Sequence, residues 1–210
     1  IETVVMNPSG SEVILTEQLE AFTVTGSDSV DKINSGKGAD TINAGKGDDI
    51  INAGSGANLT NAGQGDDIIF LTPNSNWNAG QKAWNINSSK VIFSILDLNG
   101  KNKFEDSTHG NTGADILNLT SGSDAFFLHD TNSYFHSSIS LTKDSFDKNN
   151  ASRLTSIETI NAGDGNDIVD LTSTDLTISD TMVLNGEAGN DYLWASNGDD
   201  TLYGGDGNDF

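Results

Sequence analysis

Residues 26–70 read GSDSVDKIN, SGKGADTIN, AGKGDDIIN, AGSGANLTN and AGQGDDIIF, five consecutive units of nine. The sixth position holds Asp31, Asp40, Asp49, Asn58 and Asp67, and the eighth holds Ile33, Ile42, Ile51, Thr60 and Ile69. A fixed short period decides the architecture before local propensity does, because each unit buries its apolar residue only by stacking on its neighbours. The period returns as GNTGADILN and LTSGSDAFF, which bring Asp115 and Asp124 with Leu117 and Phe126, and as AGDGNDIVD, with Asp167 and Val169. It closes with GEAGNDYLW, ASNGDDTLY and GGDGNDF, placing Asp191, Asp200 and Asp209 nine apart.

The charge balance asks for a cation. The chain has 210 residues, enough for one core, with 31 Asp and Glu against 10 Lys and Arg and a net charge of -21. Folding it in plain water forces carboxylates together. The acids are evenly spaced among Ile, Leu and Val, which a solvating acidic tail lacks. So acidic a surface, without a basic cluster, is a poor partner for nucleic acid or anionic membranes. No apolar run reaches the roughly 20 residues that span a bilayer. The opening IETVVMNPSG lacks the basic flank and apolar stretch of a signal peptide, and both ends read as cuts within a longer chain. With no cysteine, a secreted protein of this kind is held by metal and packing.

The units match GGxGxDxUx and resemble the repeats-in-toxin (RTX) family of secreted bacterial proteins, directly over residues 26 to 70, 110 to 127 and 162 to 210. The resemblance implies a mainly β fold, a calcium-bound partial parallel β-roll in which two units make one turn. It also implies export by a type I route and folding outside the cell.

Calcium takes six to eight oxygen ligands from carboxylates, carbonyls and water, and the repeat supplies them. Glycines at the second and fourth positions let the backbone take φ > 0 and turn carbonyls toward a shared centre. These are Gly36 and Gly38, Gly45 and Gly47, Gly54 and Gly56, and Gly63 and Gly65 in the first run. Later they are Gly163 and Gly165, Gly189, Gly198, and Gly205 and Gly207. The sixth-position residue adds charge, and the residue two places on points inward by the alternation of a strand. In a roll, loops eighteen residues apart stack: Asp31, Asp49 and Asp67 on one side, Asp40 with Asn58 on the other, and Asp191 with Asp209 near the end. Asp200 is left to an irregular loop or a group outside the sequence. The neutral Asn58 makes its side the weaker binder, and Thr60 in the same unit marks a degenerate turn where the coil meets an inserted element. Until the ion arrives the carboxylates repel, so metal binding and folding are one event.

Residues 71–161 read as an inserted lobe within a single domain, with partial repeats at 110–127. The lobe carries Trp77, Trp84, KVIFSIL, DLNGKNKFED and all three histidines. DLNGKNKFED opens like an EF-hand loop, but Gly100 stands fourth and Thr108 twelfth, where that loop needs Gly sixth and Glu twelfth. It is therefore either an isolated calcium or ligand loop or a plain acidic hairpin. His109, His129 and His136 form no zinc-protease spacing, and no G-x-S-x-G elbow occurs, so no enzyme is expected. Trp77, Trp84, Phe126 and Phe127 read as core, and Tyr134 as an exposed ring.

RLTSIETINAGDGNDIVDLTS resembles the join where large RTX adhesins set a ligand-binding domain among their repeats. That resemblance implies a module binding peptide or protein ends on host cells or neighbouring bacteria, the ligand carboxylate completing a calcium shell. Composition and position nominate Asp97, Asn99, Asp106, Asp130 and Tyr134 for the ligand. A carbohydrate-binding adhesin module using the same open position is the alternative. Ice binding needs a Thr/Asn lattice, and the corresponding positions hold Lys37, Lys46, Ser55 and Gln64. A plain spacer has no need of the long irregular segments.

Overall fold

The computed structural model describes residues 2–76, 82–86, 92–128, 152–172 and 178–210, with only the backbone path over 82–86 and 92–97. Among them no helix forms, and the strands stack into a parallel coil.

One wall is continuous along the coil. It runs β2 (Glu12–Ile14), β4 (Lys32–Asn34), β6 (Ile50–Asn52), β8 (Ile68–Phe70), β14 (Ile116–Asn118), β17 (Thr159–Asn161), β19 (Val183–Asn185) and β21 (Thr201–Tyr203), every neighbour parallel. Val13, Ile33, Ile51, Ile69, Leu117, Ile160, Leu184 and Leu202 stand in register down this wall. The second wall is β1 (Glu2–Val5), β3 (Phe22–Ser27), β5 (Thr41–Lys46), β7 (Leu59–Gln64), β13 (Ser107–Thr112) and β16 (Leu154–Thr155). Its register column is Val24, Ile42, Thr60, Thr108 and Leu154. A third wall takes over further along: β9 (Ser75–Asn76), β12 (Asn102–Lys103), β15 (Asp124–Phe127), β18 (Ile168–Asp170) and β20 (Tyr192–Trp194). Phe126, Val169 and Leu193 are its column.

The three inward columns and the alanines at the head of the repeat, Ala44, Ala53, Ala62 and Ala162, form one core with almost no solvent contact, except at the two ends of the first column, where Val13 is half-buried and Leu202 is exposed. Burying each large aliphatic there contributes about 1.5–3 kcal/mol. The eighth-position rule thus predicts the inward residue from period alone, as the alternation of a strand requires.

The inserted lobe is smaller than the sequence suggests. Residues 107–118, 124–127 and 154–161 are strands of the coil itself, because β13 pairs with β7 and β14 with β8 across the interruption. Among the described residues the excursion lies between β8 and β13: β10 (Lys82–Ile86) and β11 (Ile92–Asp97) form an antiparallel hairpin of their own, while β9 and β12 on either side of it join the third wall. That segment returns over the outer face of the third wall, where Leu98 packs with Ala125, Phe127 and Ile168. Phe126 points the other way, into the core against Phe104, their ring centroids 6.2 Å apart. Phe126 and Phe127 are thus both buried, on opposite faces of β15. Trp77 lies outside the described residues, and Trp84 falls on β10. Thr60 and Thr108 are both buried and face each other in register at the turn where the excursion begins and ends.

Candidate metal centre

The loops between walls carry their sixth-position side chains inward, and the carboxylates form three ladders. In the first, Ser11 N donates to Asp31 Oδ1 (2.7 Å), Asp31 N to Asp49 Oδ1 (2.7 Å), Asp49 N to Asp67 Oδ1 (2.7 Å), Asp67 N to Asp115 Oδ1 (2.9 Å) and Asp115 N to Glu158 Oε2 (2.7 Å). In the second, Phe22 N donates to Asp40 Oδ1 (2.8 Å), Asp40 N to Asn58 Oδ1 (2.9 Å) and Asn58 N to Asp106 Oδ1 (3.1 Å). The third, behind the third wall, links Asp124 N to Asp167 Oδ1 (2.7 Å), Asp167 N to Asp191 Oδ1 (2.8 Å) and Asp191 N to Asp209 Oδ1 (3.0 Å). Asp200 stands apart from Asp191 and Asp209 and accepts from Met182 N (2.9 Å), in the irregular stretch before β19.

Most rungs use one carboxylate oxygen on the backbone and leave the other over, whereas the second oxygen of Asp31, of Asp40 and of Asp124 accepts from Ser27, from Ser35 and Gly36, and from Thr120. The Oδ2 atoms of Asp49, Asp67, Asp106, Asp115, Asp167 and Asp191 are buried with no hydrogen-bond partner. Strands stack about 4.8 Å apart, and at an effective dielectric of about 20 two ionised neighbours at that spacing repel by roughly 3 kcal/mol. Burial pushes Asp49 and Asp106 up to about 7, Asp115 to about 6 and Asp167 to about 8. For Asp49, Asp115 and Asp167 neighbouring carboxylates add to the rise. Asp67, Asp124 and Asp191 are raised too, again chiefly by burial. Buried, unpaired, like-charged oxygens in a row are a site for hard cations.

The glycines complete the cradle. Gly45, Gly47, Gly54, Gly56, Gly63, Gly65, Gly163, Gly165, Gly189, Gly205 and Gly207 all have φ between +74 and +149. A Cβ on Gly63 would sit 1.9 Å from the carbonyl oxygen of Gly45, so the space a side chain would fill is taken by the next loop's carbonyl. Gly36, Gly38 and Gly198 depart from the expectation, since their φ is not left-handed. They are glycine because of close approach alone, a Cβ meeting Gln18 O at 2.7 Å, Glu20 O at 2.3 Å and Asp180 O at 2.2 Å.

These residues fit calcium. Among the described residues no three acidic or histidine side chains converge on one point, so each position draws on carboxylates of neighbouring rungs, with loop carbonyls and water making up the six to eight oxygens calcium takes. Asp31, Asp49, Asp67, Asp115 and Glu158 would hold it in the first ladder, Asp40, Asn58 and Asp106 in the second, and Asp124, Asp167, Asp191 and Asp209 in the third. The ion supplies the positive charge that lets these rungs stay ionised and adjacent.

A family model for the RTX calcium-binding nonapeptide repeat (4 copies) matches residues 25–60, 106–130, 157–173 and 183–210, about half of the sequence. The chain belongs to that family. It binds calcium through these repeats, and RTX repeats are in general those of extracellular proteins secreted by the type I route. No curated protein and no solved structure gave a match.

Two RTX rungs escaped sequence reading. Glu158 lies two residues before the inward Ile160, and Asp106 two before the inward Thr108, the same offset as in every regular unit. Glu in place of Asp, and Thr in place of an aliphatic, hid them. Asp106, a ligand-binding candidate by composition and position, is 2% exposed and bound to Asn58, so it belongs to the second ladder. Of the other candidates, Asn99 is exposed in the turn after β11, Asp97 ends β11, and Asp130 and Tyr134 lie outside the described residues. DLNGKNKFED forms a turn that returns as β12, with Lys103 paired to Glu105 at 2.6 Å. His109 bonds Thr155 Oγ1 through Nδ1 (2.7 Å), and burial lowers its pKa; His129 and His136 fall outside the described residues.

Proposed function

We propose that this RTX chain is a calcium-rigidified ligand-binding module of a bacterial adhesin, without catalysis of its own. The roll is the scaffold, and its excursions make the ligand face. The observation that carries this reading is that the first ladder keeps its register over sequence steps of 48 and 43 residues, where an uninterrupted turn takes 18. A coil that merely spaces other domains has no use for such detours. An excursion rooted at both ends in calcium-bound loops is rigid only when calcium is present.

The ligand we assign is a short peptide or protein end on a host cell or neighbouring bacterium, its terminal carboxylate reaching a bound calcium. A chain of net charge -21 repels a free carboxylate over most of its surface, and a bound calcium reverses that locally. Asp97, Asn99, Asp130 and Tyr134 are the residues expected at the ligand; Asp106, being buried, is not. The test is calorimetry with a C-terminally diverse peptide pool, in calcium and in chelator. Heat from free-acid peptides that vanishes with their amides and with chelator supports the reading. Heat from sugars alone moves the module to the carbohydrate class, and silence from both leaves it a spacer.

A further inference from the structure

Each ladder opens on a rung that is closed differently from those behind it. At Asp31, the head of the first, Ser27 donates to Oδ2 from its backbone N (2.7 Å) and its hydroxyl (2.9 Å), and the hydroxyl accepts from Ser29 N (3.2 Å). At Asp124, the head of the third, Thr120 repeats the arrangement, with its backbone N at 2.7 Å and its hydroxyl at 3.0 Å from Oδ2, and Gly122 N donating to the hydroxyl (3.0 Å). At Asp40, the head of the second, Oδ2 accepts from Gly36 N (3.1 Å) and from the Ser35 hydroxyl. A hydroxyl and a backbone N–H thus meet the oxygen that other rungs leave over.

Sequence and backbone both set these loops apart. Ser27 and Thr120 stand at the second position of their units and Ser35 at the first, whereas the units of Asp49, Asp67, Asp115, Asp167 and Asp191 carry no hydroxyl at either. In those later units the second and fourth residues are both left-handed, and Asn111 (φ 79) and Glu187 (φ 69) take that conformation although they are not glycine. In the head loops neither position is left-handed, which is why Gly36 and Gly38 depart from the other repeat glycines.

The loop before each head differs as well. Each carboxylate reaches back, its Oδ1 accepting from the preceding loop, so the space between two loops belongs to the later rung. Before Asp31, Asp40 and Asp124 that preceding loop is a turn closed on itself, Gly10 N donating to Asn7 O (3.2 Å), Gln18 N to Leu15 O (2.8 Å) and Lys101 N to Leu98 O (3.0 Å). A calcium ion there would have a repeat loop on one side only, too few oxygens for the six to eight it takes.

We propose that Ser27, Ser35 and Thr120 set where calcium binding begins: they close the head carboxylates, and no ion occupies the space before Asp31, Asp40 or Asp124. Calcium is confined to the rungs behind, where Asp49, Asp67, Asp106, Asp115, Asp167 and Asp191 keep a buried, unpartnered oxygen for it. Asp31, Asp40 and Asp124 then serve their ladders through hydrogen bonds alone, which narrows the ion-holding set and rests on the calcium binding of the RTX repeats. Each ladder starts from a turn that needs no ion.

The test is an anomalous-difference map from wild-type crystals grown in saturating calcium. Peaks are expected about 2.3–2.6 Å from the unpartnered oxygens behind the heads, and a peak at that distance from Oδ2 of Asp31, Asp40 or Asp124 overturns the proposal. A map without any peak overturns it together with calcium binding itself. In solution, Thr120→Val removes a hydroxyl without touching a ladder carboxylate. Native mass spectrometry in saturating calcium should count at least the wild-type number of ions, and in chelator the variant should need more trimethylamine oxide to fold, with Thr120→Ser matching wild type in both. One ion fewer in Thr120→Val, or an osmolyte midpoint equal to wild type, also overturns the proposal.

Discussion

Asp167→Asn separates the two roles of a rung. The amide oxygen can still accept from Asp124 N, now at 2.7 Å, but the charge is gone. Asp167 is wholly buried and its pKa is raised from 3.8 to about 8, first by burial and then by Asp124 and Asp191. A carboxyl whose folded pKa is raised contributes stability that is fully present below its unfolded value near 3.8 and is lost as pH rises toward 8. At pH 7 about three units of that interval have been crossed, which at 1.36 kcal/mol per unit amounts to an upper bound of roughly 4 kcal/mol against the calcium-free fold. The variant escapes that penalty. In chelator, trimethylamine oxide, which favours burial by exclusion from the surface, should fold Asp167→Asn at a lower concentration than wild type at pH 7, with the gap nearly closed at pH 4. In calcium the order reverses, because the ligand charge is missing and the midpoint of the calcium titration rises. Far-UV circular dichroism reads both. Asp167→Ala is the control: it leaves Asp124 N unpaired, at about 1–3 kcal/mol, and should fold less readily in chelator than Asp167→Asn. Equal osmolyte midpoints for wild type and Asp167→Asn at pH 7 would refute the idea that buried like charge is what opposes the calcium-free fold.

Asn58→Asp tests the second ladder from the other direction. It places a charge between Asp40 and Asp106 and removes the Asn58 Nδ2 to Gly54 O bond of 3.2 Å, so the calcium-free chain should need more osmolyte, by roughly 3 kcal/mol per ionised neighbour. Calorimetry should show tighter calcium binding, and a midpoint that does not fall would show that Asn58 does not limit that side. Glycine substitutions separate crowding from backbone preference. Gly63→Ala adds a Cβ 1.9 Å from Gly45 O at φ +125, whereas Gly100→Ala, at φ +78, meets nothing within 4 Å. In saturating calcium, urea unfolding should show a loss of about 1–2 kcal/mol for Gly100→Ala and a several-fold larger loss, or no folding, for Gly63→Ala; similar losses would mean that the loops do not stack this closely.

The nonapeptide period by itself determined the coil, the inward residue at the eighth position and the carboxylate two places before it, because loop and strand are both encoded within nine residues. It therefore led to Asp31, Asp49 and Asp67 on one side and to Asp40 with Asn58 on the other. It could not say where the chain goes after a broken unit. Which strand β13 joins after the hairpin, that Asp67 meets Asp115 across 48 residues, and that the wall opposite β14, β17 and β19 changes from the second to the third are long-range choices. They were decided by the stacking of Leu117 on Ile69 and of Phe126 on Val169. The same packing brought Asp106 and Glu158 to the ladders out of sequence that carries no repeat. Their roles depend on charges held within reach by strands distant in the chain, and only the tertiary structure puts those strands side by side.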